Sequence, residues 1–373
     1  MDSVIQNRIH AVRTAMTASG VDGLMILIQE NRFYLSGFTG EDNGFDESAG
    51  ALIITPDHLV LATDSRFTVQ AQSEAAGYQI LTYKQGLAQE LPDMVASLEI
   101  HRLGFESARL SHKQYAQYAD ALSCLDRPTE LIATENIVET LRRIKSMDEV
   151  ARTVSALRVA EQAFLSVLAD LRPGLTEKQV AWNLEKAMRE NGADGLSFPV
   201  IVASGPNSAL PHAIPTDRKL KPGEPILFDW GARVAGYCSD TSRTVILGKP
   251  DKQFMKIFDT VVEARDMAIR AIRAGVSGTA IDRIARDHID VMGFAGAFGH
   301  SLGHGTGLAI HEAPRLSPVR DERLETGMIV TVEPGIYLPD WGGVRMENQV
   351  LVMDDRAKIL NADQGPFDPV IKV

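Results

Sequence analysis

The sequence predicts a mixed α/β (α+β) protein of two domains, residues 1–140 and 141–373, and three observations carry that prediction. Its 373 residues exceed one ordinary domain and fall short of a multidomain array. Short β-type runs alternate with amphipathic helical stretches. The texture then changes near Arg142, where the basic residues Arg142, Arg143 and Lys145 precede a helix start.

In order along the chain, Ile5, Ile9, Val12 and Met16 recur at helical spacing behind the caps Asp2 and Ser3, and Gly20 ends the run. Strands are expected at Gly23 to Ile28, Ala51 to Thr55 and Leu59 to Ala62, the last two joined by the turn Pro56-Asp57-His58. Ser146 and Glu149 have the spacing of a capping box and open a long helix that Arg172-Pro173-Gly174 stops. A second box, Thr176 to Gln179, opens a helix running to Asn191-Gly192. Beyond Gly195 the pattern is strand, hairpin, helices over Lys252 to Ala274 and Thr279 to Met292, then strands again.

Composition narrows the function. Hydrophobic residues make up 45% and charged residues 23%, the balance of an ordinary globular protein. Asp and Glu outnumber Lys and Arg by 49 to 38, and the formal charge of −11 repels phosphate backbones and anionic lipid, so nucleic acid and membrane are not expected partners. The start carries Asp2, Gln6, Asn7, Arg8 and His10 among its apolar residues and does not read as a signal peptide. With only Cys124 and Cys238 available, a disulfide framework is not indicated, and a reducing, cytoplasmic setting is expected.

The chemistry lies in acids that interrupt apolar strands. Asp229 ends Ile226-Leu227-Phe228, where a carboxylate is costly to bury without a partner. A turn at Val234-Ala235 would set it directly opposite Asp240, close enough for repulsion that a divalent cation would remove. A second hairpin through Pro339 to Gly342 would bring Glu333 and Glu347 together in the same way. Between the hairpins, His300, His304 and His311 concentrate imidazoles. Four carboxylates and one imidazole suit manganese, cobalt, zinc or iron better than copper. Bridging carboxylates would hold two such ions for hydrolysis.

These residues resemble the pita-bread metallopeptidases, specifically prolidase and aminopeptidase P. The matching stretches are Phe198 to Asn207 with His212, Asp229 to Arg243, His300 to Glu312, Thr331 to Pro334 and Gly343 to Asn348. Asn31 to Gly37 and Thr63-Asp64-Ser65-Arg66 resemble that family's amino-terminal domain. The resemblance implies a creatinase-like amino-terminal domain followed by a pita-bread catalytic domain. It implies that Asp229 chelates one ion, that Asp240 and Glu347 bridge, and that His304 and Glu333 complete the second ion's shell, Glu333 also accepting the proton of the attacking water. His212 and His311 match histidines at the leaving group and the scissile carbonyl, and His300 and Arg345 match residues of the proline-side pocket. The implied substrate is an Xaa-Pro dipeptide or short peptide, the implied cofactors two divalent ions with manganese first, and the implied assembly a homodimer. Asn348 departs from the Asp of many relatives and bears on how the ligands are tuned.

Competing readings fail on pattern. Gly299-His300-Ser301-Leu302-Gly303 fits a serine-hydrolase elbow, but no acid lies between Ser301 and His311 to complete the chain order. No Lys-Ser or Lys-Thr follows the glycines, and position 315 is Arg, which removes a P-loop and a zincin. Cys238 has no neighbouring cation in sequence and reads as a packed thiol. An aminopeptidase on longer peptides, a related C–N hydrolase or lyase, and a non-catalytic peptide-binding module are the alternatives within the fold.

Overall fold

Asp2 accepts a hydrogen bond from the Val4 amide and so starts helix Ser3–Ala18 in the computed structural model, which describes residues 2–44, 47–362 and 367–372. Two compact units result, the first ending at Leu141 and the second beginning at Arg142. No helix among the described residues is long and apolar enough to cross a membrane.

The first unit is built on a six-stranded mixed sheet in the order Gln79–Tyr83, Leu59–Asp64, Ala51–Ile54, Gly23–Ile26, Arg102–Glu106, Glu130–Thr134. Thr55 accepts from the Asp57 and His58 amides through its hydroxyl and closes the expected turn. The strand expected to reach Ile28 ends at Ile26 because the Leu27 and Ile28 amides both donate to the buried carboxylate of Glu106 at 2.6 Å instead of to a ladder. Met25, Ile53, Leu91, Met94 and Leu103 fill the core on one face of the sheet.

The second unit opens on helix Met147–Ala169. Both reciprocal bonds of its capping box form, with Ser146 as N-cap and Glu149 reaching back, and Thr176 and Gln179 repeat the device for helix Glu177–Glu190. Ser146→Ala is expected to cost about 1 kcal/mol, read as a lower urea midpoint with an unchanged slope. These helices cover a four-stranded sheet ordered Val370–Ile371, Thr241–Leu247, Pro225–Trp230, Ile201–Ser204. Trp230 stacks on Phe164 at 4.2 Å between ring centres and donates its indole N–H to the Ala160 carbonyl, which ties strand to helix. Helices Lys252–Ala271 and Gly278–Ile289 cover the other core, against a five-stranded sheet ordered Glu312–Leu316, Gly303–Gly305, Ile329–Val332, Asn348–Val352, Ala357–Ile359.

Candidate active site

The hairpin that carries Asp229 turns two positions later in register than expected. Val234 pairs with Tyr237, so the turn residues are Ala235 and Gly236, both at positive φ as the two-residue turn of twisted strands requires. Asp229 is therefore opposite Ser242, not Asp240. Because a shift of two residues keeps a side chain on the same face, the acids still converge. Carboxylate oxygens of Asp229, Asp240 and Glu347 lie within 4.8 Å of one another.

The second hairpin forms as expected. Val332 pairs with Asn348 and Gly335 with Arg345, so Glu333 and Glu347 face each other in the gap between the two ladders. His304 sits on Gly303–Gly305, and a Cβ on Gly303 would lie 2.0 Å from the Thr331 carbonyl oxygen. Glycine on that strand lets it approach close enough to hold His304 over the acids. His304 Nε2 lies 3.4 Å from Asp240 and 3.5 Å from Glu333, while its Nδ1 bonds the Gly305 carbonyl at 3.0 Å. With the proton held at Nδ1, Nε2 is left with its lone pair facing the acids.

The electrostatics ask for a cation. Burial, then the charges of Asp240, Glu333 and Asp229, hold the Glu347 carboxyl far above its ordinary range. Burial lifts Asp229 to about 6 although Arg345 pulls it back, and burial lifts Glu333 to about 7 against the pull of His304. Burial opposes a charged His304, yet its bond to Asp240 and the charge of Glu333 prevail and raise its pKa. Glu347 accepts from the Ser242 hydroxyl at 2.9 Å through Oε2, but its Oε1 and Asp229 Oδ1 are buried with no hydrogen-bond partner among the described residues. Orphaned carboxylate oxygens turned toward other acids fit divalent ions and fit little else.

Beside the acids lies a cavity of about 530 Å³. His212, Asp229, Asp240, His300, His304, His311, Glu333 and Arg345 line it, and Glu347 lies buried beneath. Arg345 is locked in place: it donates to Asp229 at 2.6 Å, to Ser242 at 2.7 Å and to the Tyr337 hydroxyl at 2.8 Å. That hydroxyl stands 2.9 Å from His300 Nε2, and His300 Nδ1 stands 2.8 Å from the Ser301 carbonyl, so the proton sits at Nδ1 and Tyr337 donates to His300. Burial, then Arg345, depresses His300 to about 4, and burial, then His304, depresses His311 to about 4. Both rings are neutral at pH 7. The Cys238 thiol is pushed up to about 12 by burial, and among the described residues no histidine bonds the Ser301 hydroxyl.

Sequence reasoning missed two residues. Tyr337 reaches the network from strand Gly335–Leu338, and only the register of that hairpin reveals it. Arg315 lines the cavity, and among the described residues its guanidinium has no hydrogen-bonded or ion-paired partner. Its signal was the period of two along Glu312–Leu316, which buries Pro314 and Leu316 and turns Arg315 the other way.

Residues 151–354 match the model of metallopeptidase family M24, and residues 8–144 match the creatinase/prolidase N-terminal domain. An uncharacterized peptidase of Bacillus subtilis is 39% identical over 93% of this chain and 96% of its own length. The solved structure of an Xaa-Pro dipeptidase from Bacillus anthracis superposes with a TM-score of 0.91 at 37% identity, covering 99% of this chain and 100% of that one. An X-Pro aminopeptidase from Thermotoga maritima superposes at 0.85 with 34% identity, covering 95% of this chain and 98% of that one.

Proposed function

We propose, from the premise that this chain belongs to metallopeptidase family M24, that it hydrolyses the amide between an amino-terminal residue and proline, with dipeptides as its first substrates. The convergence of Asp229, Asp240, His304, Glu333 and Glu347 beside a cavity of about 530 Å³ carries the reading. Those five residues would hold two divalent ions, manganese before cobalt, zinc or iron, with Asp240 and Glu347 shared between them. Bound there, the ions would polarise the scissile carbonyl and acidify the attacking water.

The chain's own groups do the rest. Glu333, at the cavity wall beside His304, accepts the proton of the attacking water. His311, neutral at pH 7, and His212 stand at the cavity wall as donors for the carbonyl oxygen and the leaving nitrogen, which in proline carries no hydrogen of its own. Arg345 and His300 hold the proline side through the chain that Tyr337 closes. Because Arg345 is already engaged by Asp229, Ser242 and Tyr337, Arg315 is the cation left to meet the carboxylate of a dipeptide.

The test compares Ala-Pro with Ala-Pro-Ala in the presence of Mn²⁺, Co²⁺ or Zn²⁺. Faster turnover of Ala-Pro supports the dipeptidase. Preference for the longer peptide favours the aminopeptidase, a reading that the likeness to the Thermotoga maritima structure keeps in view. Arg315→Met is expected to raise KM for Ala-Pro about tenfold, the worth of one charge-assisted hydrogen bond, with little effect on Ala-Pro-amide. An equal change for both substrates removes Arg315 from carboxylate recognition. The same reading takes the enzyme as a cytoplasmic homodimer, which sedimentation of the purified protein checks.

A further inference from the structure

We propose that two buried carboxylates outside the acid cluster, Glu177 and Glu312, are positioning residues, each organising the loop that carries one cavity histidine: Glu177 for His212 and Glu312 for His311. The inference rests on the roles given above to those two histidines.

Each histidine lacks an orienting partner of its own. His300 and His304 are fixed by bonds from Nδ1 to a backbone carbonyl. Among the described residues, neither ring nitrogen of His212 nor of His311 makes a hydrogen bond, although both rings line the cavity. A histidine that works in catalysis ordinarily has one nitrogen held by a neighbour. Here the backbone must supply the placement.

Glu177 is fully buried in the first turn of Glu177–Glu190. Its Oε1 accepts from the Ser204 amide at 2.7 Å and the Ser204 hydroxyl at 2.8 Å. Its Oε2 accepts from the Thr216 amide at 3.0 Å and the Thr216 hydroxyl at 2.6 Å, and Asn207 Nδ2 donates to it at 3.1 Å. Ser204 and Thr216 flank the segment that holds His212, so one side chain staples both ends of that loop to a helix. All of these partners are donors, and only a carboxylate accepts from them all.

Glu312 does the same work for the next loop with buried cations. Its Oε1 accepts from the Ala309 amide at 3.0 Å and from Arg142, and its Oε2 accepts from Lys145 at 3.0 Å. A Cβ on Gly307 would lie 2.7 Å from that same Oε2, so the turn from Gly307 to Glu312 wraps the carboxylate closely. Lys145 directly precedes the N-cap Ser146, and its amide donates to Gly327 at 2.8 Å, which makes it a fixed anchor. His311 is held beside His304, ring centres 4.4 Å apart, by a loop whose inner side is this ion cluster.

The experiment uses metal-loaded full-length enzyme with Ala-Pro and a double-mutant cycle for each pair. Glu177→Gln and Glu312→Gln are each expected to keep the metal content of the wild type and to lower kcat by about tenfold to a hundredfold, the effect of a displacement on the order of 1 Å. Added to His212→Ala, Glu177→Gln is expected to cost almost nothing more. Added to His311→Ala, it multiplies. Glu312→Gln shows the opposite pattern, and a general loss of structure would multiply in every combination. If Glu312→Gln does not accumulate as folded protein, Glu312→Asp, which keeps the charge and withdraws it by one methylene, is carried through the same cycle. Losses that multiply within a pair as they do across pairs overturn the inference. Full activity in His212→Ala and His311→Ala would instead overturn the reading beneath it.

Discussion

Glu347→Ala is expected to bring Ala-Pro turnover to the detection limit and to leave the purified protein with almost no bound metal. Glu347 is the acid most hemmed in by its own kind: Asp229 and Asp240 reach it within 4.8 Å, and Glu333 faces it across the hairpin. One of its oxygens is held by Ser242 and the other has no hydrogen-bond partner among the described residues. A cation shared at that position loses a ligand common to both halves of the site, so removal unloads the pair and not one ion. Asp240→Ala is expected to behave alike. Wild-type protein gains about 4 kcal/mol from each site when metal exceeds Kd by a thousandfold, whereas the Tm of Glu347→Ala does not respond to added Mn²⁺. A metal-replete and active Glu347→Ala enzyme would falsify the ligand assignment.

The strand-end acids were legible because each breaks an apolar run. Ile226 to Phe228 and Ile329 to Val332 are fully buried, and the carboxylate that follows each is the costly exception in its run. Both capping boxes were legible for a similar reason, since Ser146 with Glu149 and Thr176 with Gln179 are local chemistry that forms whatever surrounds it. The register of the first hairpin was not. Val234-Ala235 and Ala235-Gly236 are both short turns on paper, and the choice falls to the pair that accepts positive φ twice, with Ala235 carried along by Gly236. Nor does spacing reveal that Arg345 is consumed by Asp229, Ser242 and Tyr337 while the Arg315 guanidinium, on another sheet, faces the cavity without a partner among the described residues. Such facts depend on which strands become neighbours across a hundred or more positions of chain.

The gap in thermal stability between Mn²⁺-saturated and chelator-stripped protein is expected to widen as pH rises from about 5 to about 8. Burial raises Asp229 to about 6 and Glu333 to about 7, so the folded chain holds protons that the unfolded chain, with carboxyls in their ordinary range, has already released. A carboxyl whose pKa is raised by folding contributes stability that is fully present below its unfolded value. That contribution declines as pH climbs and is gone once pH has passed about 6 for Asp229 and about 7 for Glu333. Above that window the metal-free site carries buried, mutually repelling charge. Metal and protons compete for the same oxygens, so affinity strengthens through the same window, and binding releases protons to the buffer. Calorimetric titration in two buffers of different ionisation enthalpy counts those protons directly. The gap in Tm between loaded and stripped protein should widen by roughly 10 °C from the acid to the alkaline end, given the size of the chain and the affinity of such sites. Equal gaps at both ends, with no protons released, would mean that Asp229 and Glu333 already share their charge with other partners, and the five ligands would have to be assigned again.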